Sequence, residues 1–238
     1  MVDLASEMAQ LWSSLGPSIP GVGRVVLFVA ATPGEGVSTV AREFAAFASD
    51  RVKRNVWLVE LGVPGFAQVQ ALAEERGRYG VLGKEAAASP DGSAFFAVRP
   101  QARGADGQAW PDGRYLAAHR VGDRKLWVTR FRRELLRQGQ AVRQIPSGRY
   151  WEALRKHSDL VVVDAPAASE SPSAAMTAPF ADITVIVAAA DSGDMNRAAM
   201  VRDSIVAAGG RCAGVFINRA PPTPAESGGF NLLKALRP

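Results

Sequence analysis

The sequence predicts an α/β fold, a mostly parallel sheet with helices on both faces. Three observations predict it. Short, nearly unbroken apolar runs alternate with segments of helical period, as strands buried on both faces and joined by crossover helices do. The first of these runs enters a glycine-rich turn, Thr32-Pro33-Gly34-Glu35-Gly36, and leaves it as a helical stretch. Hydrophobic residues make up 47% of the 238 positions, enough for a sizeable core.

Each element follows in order. Asp3 to Leu15 reads as a helix, with Leu4, Met8, Leu11, Trp12 and Leu15 at helical spacing. Pro17 and Pro20 then break the chain. Arg24 to Ala31 is a buried strand, Val37 to Ser49 the helix after the turn, and Val56 to Val59 a second buried strand. From Gly77 to about Gly122 no period is sustained, so a basic, loop-rich excursion is expected around 77–125. Leu126 to Val128 reads as a strand and Trp151 to Lys156 as a helix. Leu160 to Val163 and Ile183 to Val187 are strand-like. Met195 to Ala208 is a helix ended by Gly209-Gly210, and Cys212 to Ile217 is a strand with its cysteine in the core. A tail with Pro221, Pro222 and Pro224 leads to a short helix, Leu232 to Leu236. Neither an internal repeat nor a second core is visible, so one domain over 1–238 is expected.

Charge is unevenly placed. The chain carries +5, but Arg99 to Lys156 holds 14 Lys/Arg against 5 Asp/Glu, a local +9, while the remainder is acidic. Such a stripe suits an acidic protein segment, a phosphate-rich polymer or an anionic membrane surface; a solvated arginine face is the plainer alternative. The lone cysteine, Cys212, precludes an internal disulfide and fits a reducing cytoplasm. No run spans a bilayer, and no signal-peptide pattern is visible. With two histidines, His119 and His157, catalysis by a His/Cys-bound metal is not supported, nor does a GxSxG elbow occur.

The glycine-rich turn has most parts of a phosphate-binding P-loop. Gly34 and Gly36 let backbone N–H groups turn inward, and the following helix adds its positive end, typically about 0.3–1 kcal/mol for an anion. Ser38 stands where the signature's Ser/Thr binds Mg²⁺, and Thr39 is placed for an α-phosphate. The lysine is missing: Val37 occupies its position. Losing such an electrostatic group commonly raises a barrier by ~2.7–4 kcal/mol, by analogy with oxyanion-hole deletions, so efficient hydrolysis is not expected.

Four motifs in order then resemble one family. Pro33-Gly34-Glu35-Gly36-Val37-Ser38-Thr39 is similar to the Walker A loop of bacterial tyrosine kinases and MinD/ParA-type ATPases. Ser158 to Pro166 resembles their Walker B strand, with Asp164 as its acid. Asp182 to Val187 resembles the next strand, and Gly214 to Arg219 the strand ending in an adenine-contacting asparagine, here Asn218. The resemblance implies a P-loop NTPase fold. It implies nucleotide contacts from Gly34, Glu35, Gly36, Val37, Ser38, Thr39, Asp164 and Asn218, and a metal held by Ser38 and Asp164.

The chain departs from that family repeatedly. The second acidic motif, Asp-x-Asp, aligns with Glu60-Leu61-Gly62, and Pro64 stands near a usual arginine. The ring-forming Glu-x-x-Arg-x-x-Arg helix aligns with Glu7, Gln10 and Ser13. The family's C-terminal tyrosine cluster is missing; the tyrosines are Tyr79, Tyr115 and Tyr150. The resemblance therefore implies a divergent branch, similar to proteins of exopolysaccharide and holdfast-type synthesis. The expected role is regulatory or scaffolding rather than tyrosine autokinase activity. ATP or ADP with Mg²⁺ would bind weakly or not at all. The expected partner is the cytosolic part of a membrane co-polymerase or export protein, met in the cytoplasm or at the inner membrane; a homodimer is compatible, and nucleic acid is not the expected ligand. An ATPase switch that recruits an arginine in place of the lysine is the alternative.

Overall fold

The structure, a computed structural model, describes residues 4–16, 21–191 and 193–220. The expected prolines at 17 and 20, and the expected tail helix, lie outside these residues, as does Asp3.

Among the described residues ten strands form: β1 Arg24–Ala30, β2 Val56–Glu60, β3 Leu82–Ala87, β4 Phe96–Arg99, β5 Leu116–Val121, β6 Leu126–Phe131, β7 Ala141–Gln144, β8 Leu160–Asp164, β9 Ile183–Ala189 and β10 Cys212–Asn218. Seven α-helices accompany them among the same residues: α1 Ala5–Ser14, α2 Val37–Ser49, α3 Ala67–Glu74, α4 Arg76–Tyr79, α5 Gly148–His157, α6 Ser173–Thr177 and α7 Met195–Ala207. Eight strands make one sheet in the order β10-β9-β1-β8-β2-β6-β5-β3. From β10 to β6 the pairing is parallel; β5 and β3 extend it antiparallel. The expected mostly parallel sheet with helices on both faces is observed.

The apolar runs explain the centre. Strand side chains alternate between faces, so a strand covered on both sides must be apolar throughout. Val25, Leu27 and Val29 of β1 pack with Trp151 and Leu154 of α5 and with Val201 and Ile205 of α7. Val26, Phe28 and Ala30 pack on the other face with Val40, Phe44 and Ala48 of α2. Helix α1 lies over α2: Met8 and Leu11 are buried, and the Trp12 and Phe44 rings are 6.0 Å apart. Each such buried side chain contributes about 1.5–3 kcal/mol relative to exposure. The amphipathic N-terminal segment is thus a core-docked helix.

The stretch around 77–125 differs from expectation. It contains the end of α4 and the strands β3, β4 and β5, separated by loops at 88–95 and 100–111. Strands β3 and β5 extend the main sheet, and β4 pairs with β7 in a separate ribbon. That ribbon is anchored by aromatics: Phe95 stacks on Trp151 at 5.7 Å, and Phe96 meets Phe131 edge-on at 5.2 Å. Cys212 is also placed differently, since it is only partly buried; that burial still pushes its thiol pKa up.

Candidate functional site

The register brings three functional positions to one end of the sheet. Asp164, the last residue of β8, stands opposite Phe28 of β1 and Glu60 of β2. Just beyond β1 the chain makes its glycine-rich turn, while β10 ends at Asn218 two strands away. Ligands of open parallel sheets bind at this carboxyl end.

The turn is shaped by two glycines with left-handed backbone, Gly34 (φ 85°) and Gly36 (φ 92°). Gly36 caps α2 with its backbone alone; no side chain takes the first N–H groups of α2, which leaves them for an anion. The loop is clamped from β10. Asn218 donates its side-chain amide to the Glu35 carbonyl at 3.0 Å, and Arg219 donates to the Gly34 carbonyl at 2.7 Å. The clamp is tight: a Cβ on Gly36 would lie 2.1 Å from Asn218 Nδ2. Asn218, expected to touch adenine, thus has its amide committed to the loop, and its oxygen accepts the Arg219 N–H.

The loop from Thr32 to Thr39 lines a cavity of about 430 Å³ with Ala165, Pro166, Ala167, Glu170 and Arg219; Asn218 and Asp164 are not part of its lining. Gly34, Glu35, Gly36, Val37, Ser38 and Thr39 all face it. Among the described lining residues, Arg219 is the basic one, set against Glu35 and Glu170. Glu35 is buried; one carboxylate oxygen accepts from Thr32 at 2.6 Å, and the other has no hydrogen-bond partner among the described residues. Val37, the first residue of α2, lies at the edge of the cavity and is mostly buried within the apolar cluster on the α2 face of the sheet, so the lysine position is also a packing position. A cavity with one cation and two carboxylates is poorly matched to a triphosphate.

Behind the loop lies a network that sequence reasoning did not find. Gln68, on the first turn of α3, is fully buried. Its amide donates to Asp164 Oδ2 at 2.6 Å and to the Ser38 carbonyl at 2.9 Å. Its oxygen accepts from the buried Arg42 at 3.2 Å. Glu60 aims away from the loop: its two oxygens accept the backbone N–H groups of Ala67 and Gln68, both at 3.0 Å. It thereby supplies the cap that α3 otherwise lacks.

Both carboxylates are shifted. Burial pushes Asp164 up to about 6, moderated by hydrogen bonds from Gln68 and Ser38 and by the Arg42 charge. Burial likewise pushes Glu60 up to about 7, against its two backbone hydrogen bonds, with the Asp164 charge adding to the rise.

Ser38 and Asp164 are therefore brought together. A magnesium shell asks for oxygen lone pairs in near-octahedral array. One carboxylate oxygen of Asp164, Oδ2, already accepts from the Gln68 amide, which also donates to the Ser38 main-chain carbonyl, an atom outside the expected pair of Ser38 hydroxyl and Asp164 carboxylate. Among the described residues, no three His, Cys, Asp or Glu side chains converge as a metal site.

The basic segment is partly neutralised by acids from elsewhere in the chain. Arg124 pairs with Asp50, Arg130 and Arg132 with Glu85, Arg149 with Asp91, and Arg155 with Asp182. Two exposed arginines behave otherwise: the Arg114 and Arg137 guanidinium groups lie 3.8 and 5.0 Å from the Trp110 ring centre. No helix of the described residues is long and apolar enough to cross a membrane.

No family model matches the sequence, and no curated protein matches it. Solved structures do resemble the fold. The chimerical protein CapA2B2 is 14% identical, with a TM-score of 0.60 over 93% of this chain and 87% of that one. The kinase domain of the Escherichia coli tyrosine kinase ETK is 15% identical, with a TM-score of 0.54 over 92% of this chain and 74% of that one. The VpsO kinase domain is 16% identical, with a TM-score of 0.51 over 91% of this chain and 95% of that one. At such identities the likeness shows the fold, that of the P-loop NTPases.

Proposed function

We propose that this chain is a degenerate P-loop protein, a non-kinase regulatory or scaffolding component of bacterial exopolysaccharide synthesis and export, of the holdfast type. The observation that carries the reading is the paired loss at the loop: Val37 packs where a lysine would reach phosphate, and Asp164 is held by Gln68. Nucleotide contact through Gly34, Glu35, Gly36, Val37, Ser38, Thr39, Asp164 and Asn218 is then a weak or vestigial property of the fold. The resemblance to tyrosine-kinase domains supports the polysaccharide setting.

The tyrosines support the non-kinase part. All three, Tyr79, Tyr115 and Tyr150, are buried. Tyr79 donates to Glu43, and Tyr150 is enclosed by Phe95 and Trp151. A phosphoryl acceptor must reach the donor phosphate, and none of these does so in the folded chain.

On this reading 1–238 acts as one P-loop-like unit in the cytoplasm. It meets the cytosolic region of a membrane co-polymerase or export protein, which keeps it at the inner membrane. The Trp110 ring with Arg114 and Arg137 offers that partner aromatic and cationic surface. The second reading, an ATPase switch with an arginine for the missing lysine, is favoured by one observation: Arg219 lines the loop cavity.

Titration of ADP and ATP with Mg²⁺, followed by thermal unfolding and a phosphate-release assay, separates the two. A nucleotide at 100 times its dissociation constant stabilises by about 2.7 kcal/mol. Absence of turnover, with or without a shift, agrees with the scaffold. Turnover that is lost in Arg219→Ala would overturn it in favour of the switch.

A further inference from the structure

The acidic end of β8 is closed from inside the protein. We propose that the Gln68 amide, held by Arg42, stands where a hydrated divalent cation would sit and excludes it, so that the loop cavity takes its anion without metal. The inference rests on reading the cavity as a retained but non-hydrolytic P-loop.

The amide has one orientation that satisfies its surroundings. Its two N–H groups face the Asp164 carboxylate and the Ser38 carbonyl, and its oxygen faces the Arg42 guanidinium. Turned over, it would set oxygen against both acceptors and an amine against a cation. Three partners thus fix a side chain that has no exposure to solvent. The charge of Asp164 is met by the protein as well, since Arg42 is buried nearby and its ion pair with Glu75 spans 3.7 Å.

The second acidic position completes the closure. Glu60 would be the natural second carboxylate for a cation beside Asp164, because the two stand opposite each other in the sheet. It is spent on the N–H groups of Ala67 and Gln68. That contact fixes the first turn of α3, and the first turn carries Gln68 back onto Asp164. Glu60, Gln68 and Asp164 form one chain of hydrogen bonds between two strand ends, with amide donors at the place where a metal needs acceptors.

Manganese tests this without reference to activity. The 238-residue chain is titrated with Mn²⁺, with and without ADP, and bound ion is read from loss of the free-ion electron paramagnetic resonance signal beyond that of a protein-free control at the same ADP concentration, because ADP itself binds Mn²⁺. Wild type is expected to bind no stoichiometric Mn²⁺ in either condition. Gln68→Ala, which opens the position, and Gln68→Glu, which adds a carboxylate there, are each expected to gain at least tenfold in Mn²⁺ affinity. Adding Asp164→Asn to either should abolish the gain. Circular dichroism checks that each variant is folded, and one folded variant is sufficient. Mn²⁺ bound to wild type and lost in Asp164→Asn would overturn the proposal. So would folded Gln68 variants that bind no better than wild type. Metal bound by wild type without phosphate release would sink this inference and leave the scaffold reading standing, whereas turnover would sink that reading.

Discussion

Gln68 donates a 2.6 Å hydrogen bond to Asp164 across the end of the sheet. The residue that opens α3 therefore holds the residue that ends β8, and it does so with no part exposed to solvent.

Truncating Gln68 should be costly. Gln68→Ala leaves Asp164 Oδ2, the Ser38 carbonyl and an Arg42 N–H buried without their partner. An unsatisfied buried polar group costs ~1–3 kcal/mol, and charged groups more, so a loss of ~3–5 kcal/mol is expected from urea unfolding. Gln70→Ala, two residues on, with an exposed side chain that donates to Glu74, should stay within ~0.5 kcal/mol. Equal effects at the two positions would contradict the network.

Stability should fall as pH rises from about 4 to about 7. Asp164 and Glu60 have folded-state values raised to about 6 and about 7, while in the unfolded chain they titrate near 4. Between those limits the folded state holds more protons, so raising pH favours unfolding. Asp91, Glu85, Glu134 and Asp159 are shifted downward, by hydrogen bonds from arginine or serine partners and from backbone N–H groups. Their stabilisation is lost as pH falls below the usual carboxylate range, outside this window. Asp164→Asn should flatten the decline between pH 4 and 6, because its amide can still accept from Gln68. Thermal midpoints across this range that rise with pH would refute the assignment.

The same contrast shows what the sequence made legible. Strands β1, β8 and β9 were readable because burial on both faces demands unbroken apolar runs, and α2 because its cap and period coincide at Gly36 and Val37. The loop positions from Gly34 to Thr39 follow directly, and the structure places them around one cavity. Strands β3 and β5 were not readable. Their pattern is Leu-Gly-Lys-Glu-Ala-Ala and Leu-Ala-Ala-His-Arg-Val, and β3 is largely exposed at the sheet edge, so no apolar run marks it. Helix α3 buries only Gln68 and Leu72, too thin a stripe to set a period. Gln68 itself carries no local sign of burial, since its partners lie 96, 30 and 26 residues away in the chain. Arg42 could have been suspected, because it falls one helical turn after Ser38 and shares its face.

Restoring the signature lysine should not restore hydrolysis. In Val37→Lys the new side chain starts from a mostly buried position in the apolar cluster on the α2 face of the sheet. It also enters a site whose Asp164 is tied to Gln68 and whose Glu60 caps α3. A phosphate-release assay should stay at background, and unfolding should show a loss of ~1–3 kcal/mol from the displaced packing. Turnover in this single variant would mean that the rest of the site had remained competent.

The loop clamp predicts a coupled pair. Gly36→Ala meets two obstacles: a backbone φ of 92°, and the Asn218 amide 2.1 Å from the new methyl group. The first costs about 1 kcal/mol or more whatever the neighbours do. The second exists only while Asn218 is present. Asn218→Ala alone removes the hydrogen bond to the Glu35 carbonyl, at a cost of ~0.5–1.5 kcal/mol. In Gly36→Ala/Asn218→Ala the clash disappears and the backbone strain remains. The double variant should therefore be more stable than the sum of the single losses predicts, with a coupling of ~1–2 kcal/mol in an unfolding cycle. Simple additivity would mean that Asn218 swings away freely when Gly36 gains a side chain. The loop would then be held by Arg219 and the Gly34 carbonyl instead, and the loss on Arg219→Ala would exceed that on Asn218→Ala.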